Sequence, residues 1–467
     1  MKAERNINFT EGPITGPLVR FMLPVLLALF LQSLYGAVDL LVVGQFATSA
    51  DVSGVSTGSQ IMMTLTNIVA SFSMGMTILL GQKIGEKRTD ECSPVIGAGL
   101  VLFLCIGVLL TGLTVIFPGA IASLMNAPEE AMPATVGYIR TCGVGIIVII
   151  AYNLIGSIFR GLGDSRTPLI TVAIATVVNI FGDLLLVAVF HMGAVGAAVA
   201  TVAAQLVSVI CSYFMIRRQT LPFTVEPREW KNLRALLPFV KRITGLGLPL
   251  AFSDFLVGLS FLIILAIVNS LGLTASAGMG VAEKVCNFIM LVSSAFSQSV
   301  AAFVAQNYGA GKPDRCLKAL KVGIGLSLAC GTAIGLFAYF RGDLLCGIFS
   351  REPDVIAHAW DYLKAYAFDA FLTAFLFVFI GFFNGVGMTR FVMLQGIVGA
   401  FCVRVPLSFV FSKWEPVSLF HIGLATPCST VVQIILCFIA MASFRKRKAA
   451  VADRLAEVEA KKIPKGD

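Results

Sequence analysis

Charge is what this sequence has least of. Of its 467 residues only 13% are Asp, Glu, Lys or Arg, while 57% are hydrophobic; a soluble globular chain carries about 25% charged residues. A water-soluble fold is thereby excluded, and an integral membrane protein is expected. Histidine is scarcer still. His191, His358 and His421 stand in loops or at the ends of apolar runs, with no HExxH or nucleophile–base spacing around them. That absence argues against a metal centre and against a membrane-embedded enzyme. The eleven cysteines form no CxxC pair and are scattered singly, mostly inside apolar runs. They read as small core residues rather than disulfides or metal ligands. The segment Met1 to Gly16 is polar and mixed in charge, unlike a cleavable signal peptide. No cofactor is expected.

What fills the chain instead is long apolar runs. A helix needs about 20 apolar residues to cross a bilayer. Twelve stretches qualify, near 18–43, 52–80, 94–117, 132–158, 168–190, 194–216, 244–270, 274–302, 319–340, 357–383, 391–412 and 418–442. Lysine and arginine mark every second connection (Lys83, Lys87 and Arg88; Arg160 and Arg166; Arg217 and Arg218; Lys312, Arg315 and Lys318; Arg390), whereas the intervening loops hold only Arg341, Arg351 and Lys413. The bias places both termini in the cytoplasm, and the chain is expected in the inner (plasma) membrane. The net charge of +9 is a consequence of this topology and does not imply nucleic acid as a partner. The divisions expected are a cytoplasmic N-terminus (1–17), a first lobe of six spans (18–216), a cytoplasmic linker (217–243), a second lobe (244–443) and a basic cytoplasmic tail (444–467). Within the linker, Glu229 to Leu237 has the pattern of a short amphipathic helix lying on the membrane surface.

The two halves repeat. A shift of 224 residues lays Gln82 and Gly85 on Gln306 and Gly309, Tyr138 on Tyr362, and Phe159, Gly161, Gly163 and Arg166 on Phe383, Gly385, Gly387 and Arg390; Pro24 meets Pro249 at 225. Six spans per half make the repeat parallel, with its pseudo-two-fold axis along the membrane normal. Such pairs commonly rock about a central site in secondary transporters. One thing does not repeat. Asp39 falls on Ile264 and Asp183 on Leu407, so both acids belong to the first half alone.

A carboxylate inside a span costs several kcal/mol unless it has a partner or a proton. Asn179 precedes Asp183 by one helical turn and shares its face. At 1.5 Å per residue, Asp39 and Asp183 lie roughly 8–11 Å below the outer surface. Tyr138 and Thr201 reach the same level, so five polar groups from four spans are expected to converge. Gln32, two turns below Asp39, is placed in the cavity beneath, with Asn153 as a further candidate. In the second half Asp254, Lys284, Asp369 and Arg404 fall near mid-membrane, and opposite signs at one depth suggest mutual pairing. Asp254, Lys284 and Asp369 are also candidates for substrate contact.

The stretches Tyr35-Gly-Ala-Val-Asp39-Leu-Leu-Val-Val-Gly44, Arg160-Gly-Leu-Gly163-Asp-Ser-Arg-Thr-Pro168 and Ala305-Gln306-Asn307-Tyr308-Gly309-Ala310 resemble the multidrug and toxic compound extrusion (MATE) family. The resemblance covers nearly the whole chain and is greatest to the prokaryotic DinF-like branch. It implies an all-α membrane protein of twelve helices, arranged as two six-helix bundles in a V. It also implies a secondary active antiporter that exports organic, often cationic, compounds in exchange for protons or sodium ions, and a monomer is expected. By resemblance, Asp39, Asn179 and Asp183 form the ion site, helped by Tyr138 and Thr201, and Pro24 is the kink of the first span. Sodium could occupy the Asp39, Asn179 and Asp183 oxygens. The branch typical of sodium exchangers has a carboxylate eight residues after the proline of the seventh span; here that position is Val257. A lipid-linked precursor flippase of the wider superfamily is the alternative, against which stand the twelve spans and the mixed signs of the mid-membrane charges.

Overall fold

The computed structural model describes residues 8–218, 221–226, 230 and 232–462, with side chains up to 445. The first half comprises α1 (Thr15–Phe46), α2 (Ser49–Gly85), α3 (Cys92–Ile116), α4a (Met132–Val144), α4b (Ile146–Gly161), α5 (Arg166–Asp183) and α6 (Gly193–Arg218). The second comprises α7 (Leu233–Asn269), α8 (Leu273–Gly309), α9 (Pro313–Gly347), α10 (Pro353–Gly385), α11 (Thr389–Ile397) and α12 (Ala425–Lys462). Two helices widen into π-helical turns, α5 at Leu184–Val189 and α11 at Val398–Arg404, the latter continuing as Val405–Phe411. Among the described residues, eleven helices are long and apolar enough to span a bilayer, and the bent pair α4a–α4b supplies a twelfth.

Two expectations need refinement. The fourth span is not one straight rod: its halves meet at 52°. The break falls at Gly145, where a Cβ would collide with Val202 of α6, and glycine is a common site of sharp helix kinks. The linker also differs. Glu229 and Lys231 lie outside the described residues. Leu233 to Leu237 do not form a separate surface helix but open α7, because the Asn232 side chain accepts the Ala235 N–H at 3.3 Å as an N-cap. Leu236 is buried in the core of the first half. Just before it, Trp230 packs against Gly97 of α3 and donates its indole N–H to the Ser93 carbonyl at 3.0 Å.

The halves join at the end that carries the lysines and arginines, and the join obeys the repeat. Gln82 of α2 donates to the Gly385 carbonyl at 3.0 Å, and Gln306 of α8 donates to the Gly161 carbonyl at 2.8 Å. Each bond is the image of the other under the 224-residue shift. Gly85 and Gly309 complete the pattern, each pressed so closely on the other half that a Cβ would collide with the Gln306 and Gln82 carbonyls. Gly163 and Gly387, also images, both take the left-handed φ, +81° and +85°, that turns the chain out of α4b and α10. The N-terminal segment reinforces the join. Phe9 is wholly buried against Phe21 and Phe303, while Arg315 donates to the carbonyls of Phe9, Glu11 and Gly12.

From there the contact between halves rises to mid-depth, through Gly75 against Gly247, Ser71 against Asp254 and Phe30 against Phe288. Beyond that level three glycines of α2 and α8 pack within their own half: Gly54 and Gly58 on Thr135 and Tyr138, and Gly278 on His358.

Because Gly309 has no room for a side chain, Gly309→Ala is expected to lower stability by about 1–3 kcal/mol through overpacking. Gly325, with nothing within 4 Å of its would-be Cβ, should tolerate alanine or gain up to ~1 kcal/mol. Thermal unfolding of the two purified variants checks the contrast.

Candidate functional site

The five polar groups expected to converge in the first half do meet. Asp39 of α1 is 4% exposed, Asn179 and Asp183 of α5 are 1% and 0%, Tyr138 of α4a is 3% and Thr201 of α6 is 9%. Thr201 donates its hydroxyl to Asp39 Oδ2 at 3.0 Å, and the Asn179 amide reaches the Thr201 oxygen at 3.5 Å. The Asp183 carboxyl stands within hydrogen-bonding reach of Asp39. Tyr138 lies against Gly58 of α2 and near enough to Asp39 to feel its charge. The π-helical turn begins immediately after Asp183. Such widened turns are frequent at functional sites because they swing a side chain out of ordinary helical register.

Four buried oxygens of this cluster have no hydrogen-bond donor: Asp39 Oδ1, Asn179 Oδ1, and both carboxyl oxygens of Asp183. Two carboxylates side by side repel, and each loses its hydration on burial, so the arrangement calls for a proton or a cation between them. The donors are all oxygen. Among the described residues no group of three His, Cys, Asp or Glu is placed to hold a metal ion. The set therefore suits a proton or a hard monovalent cation rather than a transition metal.

Sequence reasoning missed the second rung of this ladder. Gln205 of α6 lies within 3.4 Å of the Tyr35 hydroxyl of α1, one helical turn below the Thr201–Asp39 bond. Tyr35 and Asp39, like Thr201 and Gln205, are four residues apart on one helix face. That spacing was the available signal. Gln32 continues the same face beneath Tyr35 and lines a small cavity between α1, α4b, α5 and α8. Asn153 instead turns its amide back to the Ile149 carbonyl of its own helix at 2.9 Å.

The second-half charges do not form the expected mutual network. Asp369 accepts a hydrogen bond from Thr430 at 2.5 Å. Arg404, the last residue of the second π-helical turn, lies 3.4 Å from the Ser260 hydroxyl and stacks over Phe261. The two sense each other's charge but form no ion pair. Lys284 is exposed and sits 5.9 Å above the Phe349 ring. Asp254 is exposed too, and accepts from Ser71 of the other half at 2.7 Å. Hydroxyls and rings can satisfy each charge where it stands, so no pairing is needed. Nearer the surface, Lys364 lies 3.9 Å from Asp361 and over the Trp360 ring.

Comparison with known proteins agrees with this architecture. The MatE family model matches residues 24–185 and again 249–410, the same two segments that the internal repeat relates. "Probable multidrug resistance protein YpnP" of Bacillus subtilis is 27% identical over 417 residues, covering 87% of this chain and 90% of its own. "Multidrug export protein MepA" of Staphylococcus haemolyticus is 23% identical over 466 residues, covering 98% of this chain and all of its own. A solved structure described as an outward-facing conformation of a multidrug resistance MATE family transporter superposes with a TM-score of 0.88 at 18% identity, over 97% of this chain and 100% of that one. Fold, internal repeat and family match coincide, and the chain belongs to the MatE family of membrane transporters.

Proposed function

We propose that this transporter is a secondary active multidrug efflux antiporter of the inner (plasma) membrane, with both termini in the cytoplasm. It exports organic, cationic compounds in exchange for protons or sodium ions. The observation that carries the reading is the Asp39–Asp183 pair: two buried carboxyls within reach of each other, with three of their four oxygens undonated, in one half of an otherwise repeated fold. The names of the relatives, multidrug resistance and multidrug export proteins, support the substrate class. The protein acts as a monomer among membrane lipids.

In this reading the halves, joined at their inner ends and separate above mid-depth, present a cleft to the outside. A cation arriving from outside settles between Asp39 and Asp183. It competes there with the Thr201 hydroxyl and the Asn179 amide, and so loosens the bonds that tie α1 to α5 and α6. α1 runs unbroken through Pro24, whose nitrogen cannot donate to the preceding turn, so bending is easiest there. Bending α1 toward its own half narrows the space beside it and expels substrate. Release of the cation inside resets the cycle. The membrane potential supplies about 2.3 kcal/mol per charge per 100 mV and each pH unit about 1.4 kcal/mol. One or two cations can therefore drive export uphill by orders of magnitude. Asp254, exposed at the level where the halves part, is suited to receive the positive charge of a substrate, with Lys284 also exposed and Asp369 buried deeper in the second half.

Everted membrane vesicles given fluorescent organic cations in the external medium test this. Wild type should accumulate dye under a proton or a sodium gradient, and Asp183→Asn should abolish gradient-driven uptake while the protein still folds and reaches the membrane. Undiminished uptake by that variant would refute the assignment. Thr201→Val removes a donor from a buried carboxylate, at a cost of about 1–3 kcal/mol. It should shift the cation concentration that half-maximally drives transport, and Thr201→Ser should restore it.

A further inference from the structure

Away from the acid pair, near the inner end of the first half, Arg160 of α4b is part-buried and faces no counter-charge among the described residues. It makes no hydrogen bond or ion pair with any described residue, and its Nε is buried without a partner. It lines a cavity of about 50 Å³ together with Tyr152 of the same helix, Gln32 of α1, Ser165 at the start of α5 and Gln298 of α8. Ser165, 2% exposed, also keeps a buried hydroxyl without a partner. Among the described residues no carboxylate lines the space. Asp164, the acid nearest in sequence, turns its carboxylate to the backbone N–H groups of Arg166 and Thr167 and to the Thr167 hydroxyl.

A guanidinium whose Nε is buried with no acceptor and no opposing charge nearby is costly. Its planar fork of donors matches an anion, and the hydroxyls of Ser165 and Tyr152 and the amides of Gln32 and Gln298 can all donate beside it. Volume decides the size of the guest. Drug-sized ligands occupy pockets of roughly 300–1,000 Å³, whereas one water needs about 10–15 Å³ of such space. We propose that Arg160 and its neighbours form a binding site for one small monovalent anion, a halide or a carboxylate group. Because Gln298 comes from the other half, the anion would tie α1, α4b and α5 to α8 and favour the conformation in which the inner ends are joined. The site stands independently of whether the acid pair couples transport.

The test is thermal unfolding of the full-length purified protein at constant ionic strength and pH, with chloride, bromide or formate replaced stepwise by gluconate, which is too large for the cavity. Wild type should be stabilised saturably by a small anion, and Arg160→Gln should lose that dependence entirely. Gln298→Ala keeps the charge and should shift the half-saturating concentration several-fold upward, a readout that survives if Arg160→Gln fails to fold. Crystals grown in bromide should show an anomalous peak beside the guanidinium if the guest is a halide. Stabilisation by formate with none by chloride keeps the site and assigns it to carboxylates. Equal stabilisation by gluconate, or an unchanged anion response in both variants, would overturn the proposal.

Discussion

Two carboxyl groups facing each other inside a membrane-spanning bundle cannot both carry charge without something positive between them. That constraint organises the first half of the molecule. Asp39 is held by a threonine and Asp183 has no donor among the described residues, so the hydrogen bonding of the pair is incomplete. Complete satisfaction by protein donors would make it a structural plug. The neighbouring asparagine and glutamine bond to the threonine and tyrosine beside the carboxyls and leave the acids themselves without neutralisation.

The second half shows what the same scaffold does without that demand. Where the first half has Asp39 and Asp183, it has Ile264 and Leu407. Its remaining charges are dispersed onto hydroxyls and aromatic rings. The repeat is nonetheless exact in its mechanical parts. The reciprocal bonds of Gln82 and Gln306 and the facing glycines Gly85 and Gly309 close one end of the molecule symmetrically. The symmetric parts form the join between the halves, and the buried acid pair is confined to one of them. In the proposed cycle the two halves would move as equivalent bodies while only the first responds to the driving ion.

Much of this was legible before any coordinates. Span number, the parallel repeat and the convergence of Asp39, Tyr138, Asn179, Asp183 and Thr201 follow from apolar run length and from depth counted along helices. Depth counting works because helices have a fixed rise. It fails where the backbone leaves the ideal path, as at the Gly145 bend and the two π-helical turns. Pairing was harder to read. Charges at one depth on different helices can face different neighbours, and so Asp254, Lys284, Asp369 and Arg404 do not gather. The Tyr35–Gln205 rung and the lone Arg160 went unseen for a related reason, since each depends on which face of a helix meets another. The Leu233–Leu237 stretch was misassigned because an amphipathic surface helix and the capped first turn of a long span share one local pattern.

The most direct test of the central claim is equilibrium binding of a fluorescent organic cation to the purified protein across a range of pH and sodium concentration. If the Asp39–Asp183 pair holds the driving ion, raising protons or sodium should weaken substrate binding in wild type, and the double variant Asp39→Asn with Asp183→Asn should bind substrate with no such competition. Competition of undiminished strength in the double variant would show that the ion acts elsewhere and would contradict the account.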